Sequence, residues 1–115
     1  MAKYTATVAG TCDELAAYIK EHALGMGMTI TLEEEESGTA DSVKYWLGTF
    51  ERYAYMGGNR SSLTAVLLEH SGAVDVIATA SGASNGMFLK FNTWSEASFL
   101  EDFIKLIDWY RDGRA

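Results

Sequence analysis

Residues 62–92 decide the fold, and they read SLTAVLLEHSGAVDVIATASGASNGMFLKFN. Two turn signals, Ser71-Gly72 and Asn85-Gly86, separate three apolar runs in this stretch. Asn-Gly between apolar runs is typical of a β-hairpin, because both residues tolerate the positive φ angles of a type I′ turn. The runs are rich in Val, Ile and Thr, which suit the pleated surface of a sheet. The stretch therefore predicts three antiparallel strands in a meander at the centre of one sheet.

Upstream of the meander, three segments alternate apolar and polar residues, which predicts strands over 3–9, 28–32 and 42–56. The second of these strands runs into Glu33–Glu36 and is expected to turn at Ser37-Gly38. Like charges on an edge strand hinder pairing with a further strand. The glutamates are therefore interpreted as a solvated hairpin end that protects a sheet edge.

Two segments have the apolar spacing of amphipathic helices. Thr11–Glu14 has the spacing of a capping box, in which a Thr hydroxyl and a Glu carboxylate satisfy backbone groups reciprocally. The helix that it opens is expected to end near Leu24. Thr93–Glu96 repeats the spacing and opens a C-terminal helix. Phe103 and Ile107 lie one turn apart on the apolar face of that helix and are expected in the core.

The predicted order is β-α-β-β-β-β-β-α, which indicates one α+β domain over residues 1–115. We expect a curved antiparallel sheet of five or six strands with both helices on one face, because the apolar face of a sheet must be covered. The first strand is expected beside the last. This topology resembles the helix-grip architecture. If one run is not a strand, the order resembles the TATA-binding-protein-like fold, in topology alone and without implying DNA binding.

The segments YWLGTFERY (residues 45–53) and FNTWSEASFLEDF (residues 91–103) resemble a small bacterial family of uncharacterised domains of about this length. The likeness covers nearly the whole chain, and the motifs that carry it are structural. The family has no assigned activity, so the resemblance implies no catalytic residue and no cofactor.

Charge and composition narrow the classes of partner. The chain has 16 acidic and 9 basic residues and a net charge of −7, and its bases are scattered, which opposes nucleic-acid binding. The N-terminal MAKYTATVAG does not resemble a secretory leader, and no apolar run is long enough to span a membrane. Cys12 is the single cysteine, which excludes an internal disulfide and fits a reducing compartment. A cytoplasmic protein is expected.

Candidate catalytic and metal-binding residues are few. His70 beside Glu69 could form a general acid/base pair, but neighbours on a strand point to opposite faces. Cys12 near a helix N-terminus could be a reactive thiol, although no second Cys or His is near it in sequence. Glu33–Glu36 with Asp41 could bind a hard cation, but the run lacks a calcium-loop pattern. No catalytic dyad, triad or metal spacing is visible, so we expect no enzyme, metal or cofactor.

The strand over 42–56 carries five aromatic residues that are candidates for a ligand or interface surface. Alternation assigns them to two faces, unless a bulge at Gly48 changes the phase. Trp46 and Phe50 fall on one face, and the other three on the opposite face: Tyr45, Tyr53 and Tyr55. An aromatic set that faces away from the helices indicates a partner surface. The competing interpretation is core packing with cross-strand pairing.

These patterns favour a binding or assembly module that self-associates through its sheet. The strands are apolar on both faces, as at Trp46, Leu68 and Ile77, and two helices cover only one face. A homodimer with Trp46 near the contact is therefore expected. The alternative is a pocket for a small apolar ligand between the C-terminal helix and the sheet, as the helix-grip resemblance implies.

Overall fold

The computed structural model describes residues 2–25, 30–53, 60–83 and 89–113, and of residues 83 and 89–97 it describes the backbone alone. These residues form an α+β fold in the order β-α-β-β-β-β-α. The elements are β1 (Ala2–Ala9), α1 (Cys12–Ala23), β2 (Ile30–Ala40), β3 (Val43–Tyr53), β4 (Arg60–His70), β5 (Ala73–Ala83) and α2 (Leu89–Arg111). This confirms the predicted fold class.

The strands form one antiparallel sheet in the order β1-β5-β4-β3-β2. β1 pairs with β5 from Ala2↔Ala80 to Ala9↔Ala73, so the first strand lies beside the last, as predicted. The β4–β5 hairpin turns at Ser71 and Gly72, whose φ angles are 55° and 77°. Two successive positive φ values are those of a type I′ turn, which confirms this turn signal.

Burial alternates along the strands, so the sheet has two different faces. One face packs against α1 and α2, and we call it the helix face. Its apolar side chains in the central strands are at most 3% exposed: Trp46, Phe50, Leu63, Ala65, Leu67, Val74, Val76, Ala78 and Ala80. The opposite face, which we call the open face, carries the alternate residues, and most of those in its three central strands are half-buried. The period of two comes from the pleat, which sends successive side chains to opposite sides.

The N-terminus of α1 is capped both locally and from the sheet. Thr11 is the N-cap, and its Oγ1 accepts from the backbone N–H of Glu14 at 3.2 Å, as the sequence predicts. The Cys12 N–H donates to Oε1 of Glu69 on β4 at 2.6 Å. A carboxylate at this end of a helix also interacts favourably with the helix dipole. Leu24 is the C-cap, so the predicted end of this helix is confirmed as well.

The third strand of the predicted meander is wrong, because residues 89–92 begin α2 instead. The Asn85-Gly86 turn lies outside the described residues. A short apolar run such as MFLKF does not distinguish a strand from a buried helix by its pattern alone. The sheet topology excludes a strand here, because β5 already pairs with β4 on one side and with β1 on the other. No edge of β5 is left for a further strand. The chain therefore returns across the helix face as α2.

The hairpin of β2 and β3 is longer than predicted. β2 continues through the glutamates and past Ser37-Gly38, and the chain turns at Asp41, whose φ is 54°. The bulge also lies elsewhere: the register shifts between Leu32 and Glu34, whereas Gly48 pairs regularly. β2 is an edge strand, and a bulge there disturbs pairing on one side only.

Candidate functional site

The aromatic residues of β3 divide between the two faces as alternation predicts. Trp46 and Phe50 lie on the helix face and are 3% and 1% exposed. Tyr45 and Tyr53 lie on the open face, where Tyr45 is half-buried and Tyr53 is 45% exposed. Tyr55 lies outside the described residues. Among the aromatic residues of β3 that the structure describes, Tyr45 and Tyr53 are therefore those available to a partner on the open face.

Trp46 is a core residue that joins three elements, which corrects its expected position near a dimer contact. Its ring lies over Gly48, where a Cβ atom would clash with the indole. Its Nε1 donates to Oε1 of Glu35 on β2 at 2.9 Å, and Lys20 of α1 donates to the same oxygen at 2.6 Å. The hydrogen bonds from Lys20 and Trp46 lower the pKa of the Glu35 carboxyl. Gly48 thus makes room for a ring, and it does not form a bulge.

The glutamate run does not gather its carboxylates at one point. Glu35 pairs with Gly48 and faces the helices, whereas Glu34 and Glu36 pair with open-face residues of β3. The carboxylate of Glu36 accepts from Tyr45 Oη at 3.4 Å, on the opposite side of the strand from the Lys20 contact. Among the described residues, no three His, Cys, Asp or Glu side chains form a group that could hold a metal ion.

The centre of the open face is an apolar patch of five side chains on β3, β4 and β5. Leu47, Val66 and Ile77 form one row across the three strands, because Leu47 pairs with Val66 and Val66 with Ile77. Tyr45 and Leu68 are paired in the next row. All five side chains are half-buried although neither helix covers this face. We call these residues the apolar patch.

Hydroxyl-bearing residues border the apolar patch. Thr49, Thr64 and Thr79 pair across the three central strands, and the Oγ1 atoms of Thr49 and Thr64 are 3.3 Å apart. The same row ends in Lys3 on β1 and Glu34 on β2. We call this the threonine row. Its two ends therefore carry opposite charges at opposite edges of the sheet.

At the other end of the open face, His70, Asp75 and Thr7 form a hydrogen-bonded cluster on three strands. Asp75 accepts from Thr7 Oγ1 at 2.8 Å, and His70 Nε2 is 2.7 Å from its other oxygen. The hydrogen bond with His70 has the largest effect in lowering the pKa of the Asp75 carboxyl, and the bond from Thr7 lowers this pKa further. Glu69 points instead to the helix face, where it caps Cys12, so the predicted separation of Glu69 and His70 is confirmed.

The cluster does not have the order of a nucleophilic triad. Both Thr7 and His70 bind the central Asp75 carboxylate, whereas a serine-type triad places the imidazole between hydroxyl and carboxylate. His70 is thus not positioned to take the proton of Thr7. The cluster ties β1, β5 and β4 together at their ends.

Cys12 is 1% exposed, with its Sγ against the carbonyl oxygen of Leu67. Burial raises the pKa of the thiol, and the carboxylates of Asp13 and Glu69 raise it further. Both effects are opposite in direction to that of a helix N-terminus, which lowers the pKa of a thiol. The side chain is therefore a protonated core group, and the reactive-thiol alternative gains no support.

The region between α2 and the sheet is packed with side chains along the part of α2 whose side chains are described. Phe50, Phe99 and Phe103 are each 1% exposed there. Arg52 of β3 donates to Asp102 of α2 at 2.8 Å, and its guanidinium lies 4.5 Å from the centre of the Phe99 ring. These contacts occupy the described part of the region where the sequence alternative puts an apolar ligand.

Two-sided apolarity in the sequence indicates Leu68 and Ile77, whereas Leu47, Val66 and the threonine row become apparent only in the folded sheet. A signal for them exists, because β4 reads SLTAVLL and both of its alternating sets are apolar or β-branched. A strand with one dry face needs apolar residues at only one of the two sets. Apolar and β-branched residues at both alternating sets of β4 therefore indicate that the second face of the sheet also carries an apolar surface.

Comparison with known proteins identifies a family but not an activity. The model of a family of unknown function (DUF6054) matches residues 1–111. The chain belongs to this family, which confirms the resemblance to a family of uncharacterised domains. No curated protein matches the sequence. Of the helices in the described residues, none combines the length and the apolar character that a membrane crossing requires.

Proposed function

We propose that this member of a family of unknown function is an assembly module that pairs with a second copy of itself through the open face of its sheet. The apolar patch carries the proposal. Five neighbouring half-buried apolar side chains, Tyr45, Leu47, Val66, Leu68 and Ile77, lie on a sheet face that neither helix covers. A contiguous apolar surface framed by polar residues is typical of a protein–protein contact.

The size of the open face suits a stable dimer. The sheet has five strands, and each described strand has between 8 and 11 residues. With strands about 4.8 Å apart and about 3.3 Å per residue, the face covers roughly 700 to 800 Å². A standard interface buries about 800 Å² on each partner. Two such sheets can pack face to face about 10 Å apart, as in β-sandwiches.

The distribution of polar groups also supports self-association. The threonine row borders the apolar patch, and one row further Ser62 and Ser81 bond to each other at 3.0 Å. Hydroxyl groups that pair within one sheet lose little when they leave water, because their hydrogen bonds are kept. Lys3, Glu34 and Glu36 lie at the two edge strands. On the central strands, Asp75 beside Leu68 is bonded to Thr7 and His70, and Glu51 lies 3.8 Å from Arg60. An apolar centre with most unpaired charges at its rim is the usual anatomy of an interface.

We further propose that the module is not an enzyme. The histidine and aspartate of the open face are engaged in structural contacts, in the cluster of His70, Asp75 and Thr7. A cytoplasmic location, a bacterial source and the helix-grip likeness stay predictions from the sequence.

The test is the mass of the protein in solution. At about 100 μM, well above a micromolar Kd, light scattering is expected to give near twice the 12.6 kDa of one chain. Val66→Lys places a charge in the centre of the apolar patch and is expected to give the mass of one chain with an unchanged far-UV spectrum. Glu21→Lys, on the exposed side of α1, is the control and should stay dimeric.

Two results would contradict the proposal: a wild type that is monomeric at this concentration, or a Val66→Lys variant that is as dimeric as Glu21→Lys. A monomeric wild type would bring forward the hypothesis of an apolar ligand.

A further inference from the structure

Resting on the proposed self-association, we infer that the two copies are related by a two-fold axis that runs along β4. β4 is the central strand of the order β1-β5-β4-β3-β2. A pair of identical sheets packed face to face has its two-fold axis in the plane between them, because the same surface must meet itself. For two sheets that pack with aligned strands, the axis runs either along the strands or across them.

The two directions bring different strands together. An axis along β4 places β1 of one copy over β2 of the other, β5 over β3, and β4 over its own copy. An axis across the strands places every strand over its own copy. The second arrangement stacks two β2 edges, each with Glu34 and Glu36 on its open face. The first places that acidic edge over β1, whose open-face residues are Lys3, Thr5, Thr7 and Ala9.

The threonine row is complementary to itself only about the axis along β4. Rotation about β4 brings Lys3 over Glu34 of the partner subunit, and Thr79 over the partner's Thr49. Thr64, at the centre of the row, meets its own copy. Like charges facing each other are unfavourable and opposite charges at the rim favour one orientation, so the row selects this direction.

The rows of the apolar patch also favour the axis along β4. About the β4 axis, Ile77 lies over the partner's Leu47, and Val66 and Leu68 each meet their own copies. An axis across the strands through the row of Val66 would instead place Leu68 over the partner's Thr64. Aligned sheets cross at about 30°, which displaces residues one row from the crossing point by roughly 3 to 4 Å. Apolar residues therefore still meet apolar residues near the centre.

Single-cysteine variants separate the two axes. Cys12 is the one native cysteine and is buried, so it contributes little background. Facing sheets lie about 10 Å apart, beyond the roughly 7 Å between Cα atoms that a disulfide spans, so a short bis-maleimide serves as the crosslinker. Val66→Cys lies near the crossing point for either axis, and rapid crosslinking of its copies tests face-to-face packing itself. Leu68→Cys should also link to its own copy if the axis follows β4. Leu47→Cys alone should not, since its copies would be about 10 Å apart sideways in addition to the distance between the sheets.

Mixing Leu47→Cys with Ile77→Cys and adding the crosslinker should give the crosslinked heterodimer and little of either homodimer. Glu21→Cys, on the exposed side of α1, controls for linkage by random collision. If Val66→Cys links no faster than this control, the proposed self-association through the open face is wrong. If Val66→Cys links rapidly but Leu47→Cys links to itself and Leu68→Cys does not, the axis is wrong and the self-association stands.

Charge reversal provides an independent readout of the same axis. Lys3→Glu and Glu34→Lys should each weaken the dimer about threefold to tenfold at low salt, and the double variant should restore it. The weakening should fade as the ionic strength rises. Single variants that dimerise like the wild type at low salt, or a double variant weaker than both, would overturn the pairing of Lys3 with the partner's Glu34.

Discussion

At the scale of single residues, Gly48 leaves room for the ring of Trp46, and this ring connects β3 to its neighbours. Glycine inside a strand normally weakens it, but Gly48 leaves space for the indole of Trp46. The ring in turn donates to Glu35, which also binds Lys20 of α1. One missing methyl group therefore permits a contact that joins β3, β2 and α1.

Gly48→Ala should destabilise the protein by about 2 to 4 kcal/mol, because the added methyl group displaces the buried Trp46 ring. Without this clash, Gly→Ala in a strand would stabilise by reducing the entropy of the unfolded chain. Urea unfolding measures the change. Gly25→Ala is the control, since a Cβ there would lie 3.5 Å from the carbonyl oxygen of His22, an ordinary contact distance, and its expected effect is within about 0.5 kcal/mol. Equal stability of the two variants would exclude a tight Trp46–Gly48 contact.

The carboxyl of Asp75 is expected to make the free energy of unfolding depend on pH in the acidic range. Its pKa in the folded protein is lowered by His70 and Thr7 from an ordinary value of 3.8. A carboxyl whose pKa is lower in the folded than in the unfolded protein stabilises the fold at pH values above its unfolded pKa. This contribution disappears as the pH falls through the folded pKa. Between about pH 5 and about pH 2, Asp75→Asn should therefore lose less stability than the wild type.

Thermal melting at a series of pH values measures this difference, and Glu21→Gln on the exposed side of α1 serves as the control. Parallel pH curves for the wild type and Asp75→Asn would show that the cluster contributes nothing to acid sensitivity.

At the scale of elements, α2 contributes buried side chains to the core. Phe103 and Ile107 are 1% and 0% exposed on its inner side, which confirms their predicted place in the core. Arg52 and Asp102 add an ion pair at the edge of this contact. Because a helix of this kind gains most of its stability from tertiary packing, its inner side chains determine whether it forms.

Phe103→Ala should lower the free energy of unfolding by about 3 to 5 kcal/mol, since it removes a buried ring and leaves a cavity. This is a large part of the stability of a small domain. Chemical denaturation gives the value, and Glu101→Ala, exposed on the same helix, is the control. A Phe103→Ala midpoint within error of the Glu101→Ala midpoint would place this side of α2 outside the core.

At the scale of the whole molecule, the two layers of the described residues leave one apolar surface that neither helix covers. The helices bury one face of the sheet, and the apolar patch lies on the other. The fold and the proposed assembly are therefore expected to depend on different residues. Phe103→Ala should impair folding, whereas Val66→Lys should abolish pairing and leave the fold intact. A Val66→Lys variant that is unfolded would show that the open face belongs to the core of a single copy.

The sequence by itself determined what depends on near neighbours: the α+β class, the Thr11 cap, the turn at Ser71-Gly72 and the division of Tyr45 from Trp46. Each of these follows from φ preferences or from a period of two, which act over a few residues. The tertiary structure alone decided that residues 89–92 are helical, because β1 occupies the edge that a sixth strand would need. It also decided which of two apolar faces the helices cover, since residues on both faces of β4 have similar patterns. The clusters of Asp75 with His70 and of Glu35 with Trp46 depend on strand pairing across the sheet, and no local pattern specifies which distant residues pair.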